Sequence, residues 1–152
     1  RAHFLTQGYS DADLKLAGLT SHNDDPNKNP YDKFRGRVIF PIFNRKGQVI
    51  AFGGRSIGNG EPKYLNSPET PLFHKGYVLY GANFATKSKL RDEPPVVVEG
   101  YMDVIALYQS GYDKAVAPLG TALTDHHLKL LWRLHSTPVL CFDGDNAGIR
   151  AA

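Results

Sequence analysis

Apolar and polar positions follow two different rhythms along the chain, and the change falls near residue 95. Before it the pattern comes in short pieces. Residues 1–9 read as the tail of a longer segment, because the core-like pair Phe4-Leu5 arrives with no start signal. Ser10-Asp11-Ala12-Asp13-Leu14-Lys15-Leu16 predicts a short helix with Ser10 as N-cap, two aspartates at its positive end and Gly18 to stop it. Thr20 to Pro30, rich in Asn, Asp and Pro, predicts a loop. Arg37–Phe43 and Gln48–Phe52 flank Asn44-Arg45-Lys46-Gly47 and predict a β-hairpin, with Pro41 marking an edge strand or a bulge. Gly53-Gly54-Arg55 reads as a plain turn with an exposed arginine, the alternative being backbone that approaches a phosphate. Lys63–Thr70 predicts an ordered loop and Val78–Gly81 a strand. Asn83–Leu90 predicts a helix capped by Asn83, and Pro94-Pro95 sets a boundary between lobes.

After Pro95 the rhythm is strand, helix, strand, helix, strand. Val96-Val97-Val98 is an apolar run of the kind buried on both faces of a parallel sheet, and it ends abruptly in Glu99-Gly100. Asp103–Ser110 predicts a helix with Val104, Leu107 and Tyr108 on one face, ended by Gly111. Lys114–Ala117 is the next strand. Thr124 caps a stronger helix, Asp125–His135, whose buried stripe is Leu128, Leu131 and Leu134 with Leu130 alongside. Trp132 reads as a packing residue, and His126 and His127 as surface residues. Val139-Leu140-Cys141-Phe142 is the third strand, running into Asp143-Gly144-Asp145, and Asp145-Asn146-Ala147-Gly148 opens another helix. The fold class is therefore α/β. The expected domains are a smaller, mixed, β-rich basic subdomain over residues 1–95 and a parallel sheet flanked by helices over 96–152.

This order carries chemistry. In a βαβαβ run with right-handed crossovers, the first and third strands can be neighbours. Glu99, Asp143 and Asp145 then arrive at the carboxyl edge of one sheet, where open α/β sheets bind their ligands. Clustered carboxylates repel one another and need a cation, and hard divalent ions accept such oxygens. Asp103, one helical turn past Glu99, is a further candidate ligand or an acid favoured by its own helix start.

Composition narrows the class. The 152 residues are 41% hydrophobic, ordinary for a globular protein, with no apolar run long enough to span a bilayer. The single Cys141 excludes an internal disulfide and any multi-cysteine zinc site within these residues, and a cytoplasmic setting is the expectation. His74 lacks a partner at ligand spacing and reads as solvated or packing. The net charge of +3 is unevenly spread. Residues 31–75 hold Lys33, Arg35, Arg37, Arg45, Lys46, Arg55, Lys63 and Lys75 against only Asp32, Glu61 and Glu69, which leaves the remainder net negative. A basic segment beside an acidic site suits a polyanion held near metal ions, and charge alone suits a solvated surface rich in Lys and Arg equally well. Lys63 suits a phosphate, and Tyr64 suits stacking on a base or filling a gap; the alternative for Lys63–Thr70, favoured by the residues alone, is a structural connector.

Glu-Gly-Tyr-Met-Asp at 99–103 and Asp-Gly-Asp-Asn-Ala-Gly at 143–148 resemble the two signature motifs of a TOPRIM domain. The first half narrows the resemblance. Tyr31–Arg37, Phe40-Pro41-Ile42, Gly53-Gly54-Arg55, Lys63–Thr70 and Phe73–Gly76 resemble, in that order, the DnaG-type bacterial primases. The resemblance covers almost the whole chain. It implies a DNA-dependent RNA polymerase that makes short primers, with Glu99, Asp143 and Asp145 as catalytic metal-site residues and Asp103 close by. It implies Mg²⁺ or Mn²⁺, two ions in the complete domain, and no zinc within this chain. Arg35, Arg37, Arg55, Lys63 and Lys75, supported by Tyr64 and Asn66, would face template and nucleotide phosphates. The implied partners are a single-stranded DNA template, ribonucleoside triphosphates, the RNA primer, and a replicative helicase engaged through a domain not seen here, with no membrane. The implied location is the bacterial cytoplasm, at the nucleoid. The family's later acidic strand is not reached, so a partial TOPRIM sheet is expected. Alternatives are a phage or plasmid helicase–primase, a topoisomerase or nuclease of the same fold, and a non-catalytic nucleic-acid-binding fragment.

Overall fold

The computed structural model describes residues 1–22, 25 and 28–151, with only the backbone of 147, 150 and 151; part of the expected Thr20–Pro30 loop and Ala152 lie outside the described residues. The chain forms two compact units, residues 1–41 with 51–73, and residues 42–50 with 74–152.

The first unit opens with helix α1 (Ala2–Thr6), where no element was expected. Helix α2 (Asp11–Leu16) follows the capping logic of its sequence: Ser10 Oγ accepts from Asp13 N, and Asp13 Oδ2 accepts from Ser10 N at 2.8 Å. Ser10 Oγ also donates to Asp13 Oδ2 at 2.6 Å, and this bond, with that from Ser10 N, holds the Asp13 pKa below its ordinary value. Strand β1 (Thr20–Ser21) pairs antiparallel with β2 (Tyr31–Asp32), so the Asn- and Pro-rich stretch begins as a strand.

Strands β3 (Arg37–Phe43), β4 (Val49–Ser56) and β5 (Tyr64–Asn66) form a sheet in that order, with Pro41 on edge strand β3, the kind of strand in which proline is tolerated. The hairpin turn is fixed by Asn44, whose Oδ1 accepts from Lys46 N and Gln48 N, both at 3.0 Å. Two expectations are corrected here. Gly53-Gly54 is the interior of β4, not a turn: Gly53 pairs with Asn66 and Gly54 with Leu65. A Cβ on Gly54 would lie 2.9 Å from the Phe34 ring, so the small residue serves packing. Lys63–Thr70 contributes a strand rather than a loop alone, and the pairing extends to buried Ser67, whose Oγ accepts from Phe52 N at 3.0 Å.

The second unit is built on a parallel sheet, β7 (Ala115–Val116), β6 (Val96–Val97), β8 (Val139–Leu140), in that spatial order. The strand first in sequence is central. Alternation sorts its neighbours. Val97 and Val116 face Leu131 of helix α5 (Asp125–Leu134), while Val98, Ala115 and Ala117 face Val104 of helix α4 (Tyr101–Gln109). Helix α3 (Ala82–Ala85) is shorter than expected and starts after Gly81, so Asn83 is a buried helix residue, not the cap. Gly81 has φ +82, and a Cβ there would meet Ala115 O at 2.6 Å, so no other residue fits without backbone movement. The strand expected over Val78–Gly81 shrinks to one bridge, Tyr80 to Ala117. The preceding segment is a 3₁₀ turn, Lys75–Tyr77. The chain before β6 is tied to β7 by buried Lys114, whose Nζ donates to Arg91 O at 3.1 Å and to Glu93 O.

Edge strand β8 lies open to solvent, unlike the buried central strand. Val139, Leu140 and Cys141 are exposed, as is Trp132 on α5, which was expected to pack. The last element is helix α6 (Asn146–Ala151). No helix among the described residues is long and apolar enough to cross a membrane. Because Leu131 is fully buried between α5 and the sheet, Leu131→Ala should cost about 2–5 kcal/mol of stability in chemical denaturation, with cooperative unfolding retained.

Candidate metal and nucleic-acid site

The acids of the second unit stand where strand pairing puts them. Strands β6 and β8 are direct parallel neighbours, with Val96 opposite Val139 and Val97 opposite Leu140. Two residues beyond the last pair, Glu99 lies beside the turn that holds Asp143, and Glu99 Oε1 accepts from Asp143 N at 2.9 Å. This bond crosses 44 residues of sequence and joins the ends of the two strands. Glu99, Asp143 and Asp145 are all exposed, so their carboxylates are open to solvent.

Two of the four acids also serve helix starts. Asp145 Oδ1 accepts from Gly148 N at 2.8 Å, which caps α6, and Asp103 Oδ2 accepts from Gly100 N at 3.0 Å at the start of α4. Gly100 has no side-chain oxygen to return the bond, so only half of a capping box exists there. Gly148 is required by crowding: a Cβ on it would lie 2.1 Å from Asp143 O and 2.9 Å from Glu99 Oε1. The turn at Asp143 and the first turn of α6 are thus packed closely together against Glu99.

Among the described residues, no three His, Cys, Asp or Glu side chains stand close enough together to hold a metal ion. The donor set nevertheless fits a hard divalent cation, since it consists of carboxylate oxygens with no sulfur or imidazole among them.

The basic candidates divide between the units. In the first, Arg35 lies over the Tyr31 ring at 4.7 Å, and Arg55, paired across strands with Tyr64, lies 6.0 Å from that ring. Arg55, Lys63 and Tyr64 are exposed, and Asn66 is half-buried on β5. Arg37 is half-buried, and its Nη1 donates to Pro62 O at 2.7 Å, which ties the 56–62 loop to β3. A groove of about 600 Å³ runs here, lined by Tyr31, Lys33, Arg35, Arg37, Gly58 and Glu61 among others. Tyr31 entered the sequence reading only as part of the Tyr31–Arg37 motif, with no role of its own, and the 56–62 loop was not singled out; the aromatic–Arg spacing Tyr31-x-x-x-Arg35 is the signal that could have given the first a role.

Lys75 belongs to the second unit, on the 3₁₀ turn. That turn is held by the start of α5. Thr124 Oγ1 donates to Gly76 O at 2.6 Å, and His127 Nε2 lies 3.0 Å from Lys75 O. His127 was expected at the surface but is fully buried; its place at the third helical position after a Thr cap was the legible sign of a capping role. His126 is exposed, as expected, and stacks on Tyr77 with ring centroids 3.9 Å apart. His74 is exposed, edge-on to Tyr77.

A parallel sheet with helices on both faces and acids at the ends of two adjacent strands defines the class: a Toprim-type catalytic α/β fold. Residues 95–152 match the family model described as Toprim domain, and residues 1–86 match that described as DNA primase catalytic core, N-terminal domain. The chain belongs to the bacterial DnaG-type DNA primase family, as a fragment of its RNA polymerase domain. The DNA primase of Pseudomonas aeruginosa is 56% identical over 137 residues, which are 90% of this chain and 20% of that protein. The chain thus spans about a fifth of the curated relative's length. The crystal structure of a DNA primase domain from Pseudomonas aeruginosa superposes with a TM-score of 0.88 at 51% identity, over 97% of this chain and 47% of that one. The DnaG primase catalytic domain bound to single-stranded DNA gives 0.86 at 47% identity, over 97% and 46%. Toprim domains and primases generally work with divalent metal ions.

Burial holds the His127 pKa below its ordinary value, partly offset by hydrogen bonds to the Lys75 and Val78 backbone. The unfolded chain therefore binds this proton more readily than the native one. Its contribution to stability is fully present above about pH 6.5, the unfolded value, and is lost as pH falls through the lower native pKa. Thermal unfolding compared between pH 7.5 and pH 5 should show a smaller drop for His127→Gln than for the parent; an equal drop would exclude this titration.

Proposed function

We propose that this chain is the central part of a primase RNA polymerase domain, which synthesises short RNA primers on single-stranded DNA. The observation that carries the reading is the bond from Asp143 N to Glu99 Oε1, which joins two strand tips bearing the acids of both signature motifs. The match of residues 1–86 to the primase core distinguishes it from topoisomerases and nucleases that share the Toprim fold alone. Residues 1–95 serve as a basic template and nucleotide subdomain and residues 96–152 as the catalytic subdomain.

In each addition the primer's 3′-oxygen bonds to the α-phosphorus of a ribonucleoside triphosphate, the bond to the β-phosphate oxygen breaks, pyrophosphate leaves, and the hydroxyl proton passes to solvent or a nearby base. Glu99, Asp143 and Asp145, with Asp103 nearby, would hold Mg²⁺ or Mn²⁺, which supplies stabilisation of charge on the reacting oxygens. Glu99 orients the Asp143 turn by accepting its N–H. Asp145 and Asp103 hold the starts of the helices that follow the two strand ends. Arg35, Arg55, Lys63 and Lys75 pair with phosphates, Tyr64 supports a base or the Arg55 guanidinium, and Arg37 and Asn66 hold the loop and strand that present them. The partners are single-stranded DNA, as in the DNA-bound relative, ribonucleoside triphosphates, the RNA primer, and a replicative helicase engaged through a part of the protein outside these residues. The setting is the bacterial cytoplasm, at the nucleoid.

Two substitutions in the full-length primase separate the two kinds of residue. Glu99→Gln keeps shape but removes a charge, and should lower primer yield by more than about a hundredfold while single-stranded DNA affinity holds or rises. Retention of full synthesis would exclude Glu99 from the catalytic site. Lys63→Ala should weaken DNA binding and reduce the salt slope of log K by about 0.7, the value for one phosphate contact on a single strand. An unchanged affinity for both template and nucleotide across a salt series would assign Lys63 a purely structural place.

A further inference from the structure

We propose that His127 is a positioning residue for Lys75: buried under the 3₁₀ turn, it grips the Lys75 carbonyl and so sets where the lysine meets a phosphate. The inference rests on the reading of Lys75 as a phosphate partner. Its basis is a closed hydrogen-bond circuit. His127 Nδ1 accepts from Thr124 N at 3.3 Å, which leaves the ring proton on Nε2, 3.0 Å from Lys75 O. Thr124 Oγ1 accepts from His127 N at 3.2 Å and donates to Gly76 O at 2.6 Å. Two successive carbonyls of the turn are therefore held by two side chains of one helix start.

The turn holds itself weakly at this point, since Val78 N reaches Lys75 O only at 3.5 Å. The imidazole supplies the firm bond to that carbonyl. A leucine at position 127 would extend the apolar surface of Leu128 and Leu131 and fill the same buried space, yet it could not bond to the turn. The histidine is thus suited to the turn's position rather than to burial alone. Neutrality is consistent with this role, because burial disfavours the protonated ring and a protonated Nδ1 would face the Thr124 N–H. The neighbouring His126 adds a second tie by stacking on Tyr77, the last residue of the same turn.

The test is a double-mutant cycle in the full-length primase, at a temperature where thermal unfolding shows every variant folded. The readouts are KM for a ribonucleoside triphosphate, kcat, and Kd for a single-stranded DNA oligonucleotide. Lys75→Ala identifies which affinity depends on the lysine. His127→Leu should weaken that same affinity by about tenfold, the size of one lost charge-assisted contact, and the double variant should be no weaker than Lys75→Ala within about twofold. His127→Gln, which keeps an N–H donor, should recover most of the affinity. Thr124→Val, which removes the Gly76 bond, goes through the same cycle and should be non-additive as well, so the test survives if His127→Leu does not fold. Effects that multiply in the double variants, or a His127→Leu enzyme with unchanged affinity while Lys75→Ala is impaired, overturn the proposal. If Lys75→Ala leaves both affinities unchanged, the phosphate-binding reading of Lys75 fails first and the proposal falls with it.

Discussion

Everything in the second unit depends on burying the strand Val96–Val98 on both faces. Val97 and Val98 are almost completely excluded from water, one packed towards Leu131 and the other towards Val104. Burial of that kind leaves the backbone no solvent to bond with, so both edges of β6 must be paired, and they are, by β7 and β8. The pairing with β8 in turn fixes the register that sets Glu99 beside the Asp143 turn. A hydrophobic requirement three residues long therefore positions the acids.

The stretch from Asp143 to Gly148 shows the reverse dependence, of packing on a polar group. Glu99 accepts an N–H from the neighbouring strand end, Asp145 caps α6, and the helix crowds so closely that only a glycine fits at 148. Acids that read in the sequence as ligands alone are also structural acceptors. A carboxylate has two oxygens and about four acceptor sites, so both uses are compatible. The same economy appears at Arg37, a basic residue that holds its loop through the Pro62 carbonyl while lining the groove of the first unit.

Local signals were legible where local physics decides. The Ser10 and Thr124 caps and the Asn44 turn follow from bonds within a few residues, and the three-strand, two-helix order after Pro95 follows from the local hydrophobic period. Side chains whose surroundings come from distant segments were not. Gly53-Gly54 looked like a turn, because nothing nearby in sequence shows that Phe34 and Arg37 pack against Gly54 and that β5 pairs there. His127 looked exposed because the carbonyl it bonds lies 52 residues earlier. Trp132 looked like a packing residue from its composition, yet more than half of it stays exposed.

By itself, then, the sequence determined the kinds of element, their order, and which acids stand at strand ends, because hydrophobic period and capping chemistry act over a few residues. Its motifs also carried the family. The tertiary structure decided the strand order β7-β6-β8, the contact of Glu99 with Asp143, and the gripping of the Lys75 turn by His127. Those are pairings between segments tens of residues apart. They are chosen by which backbone edges and buried polar groups find partners when the whole chain packs, and no local pattern encodes that choice.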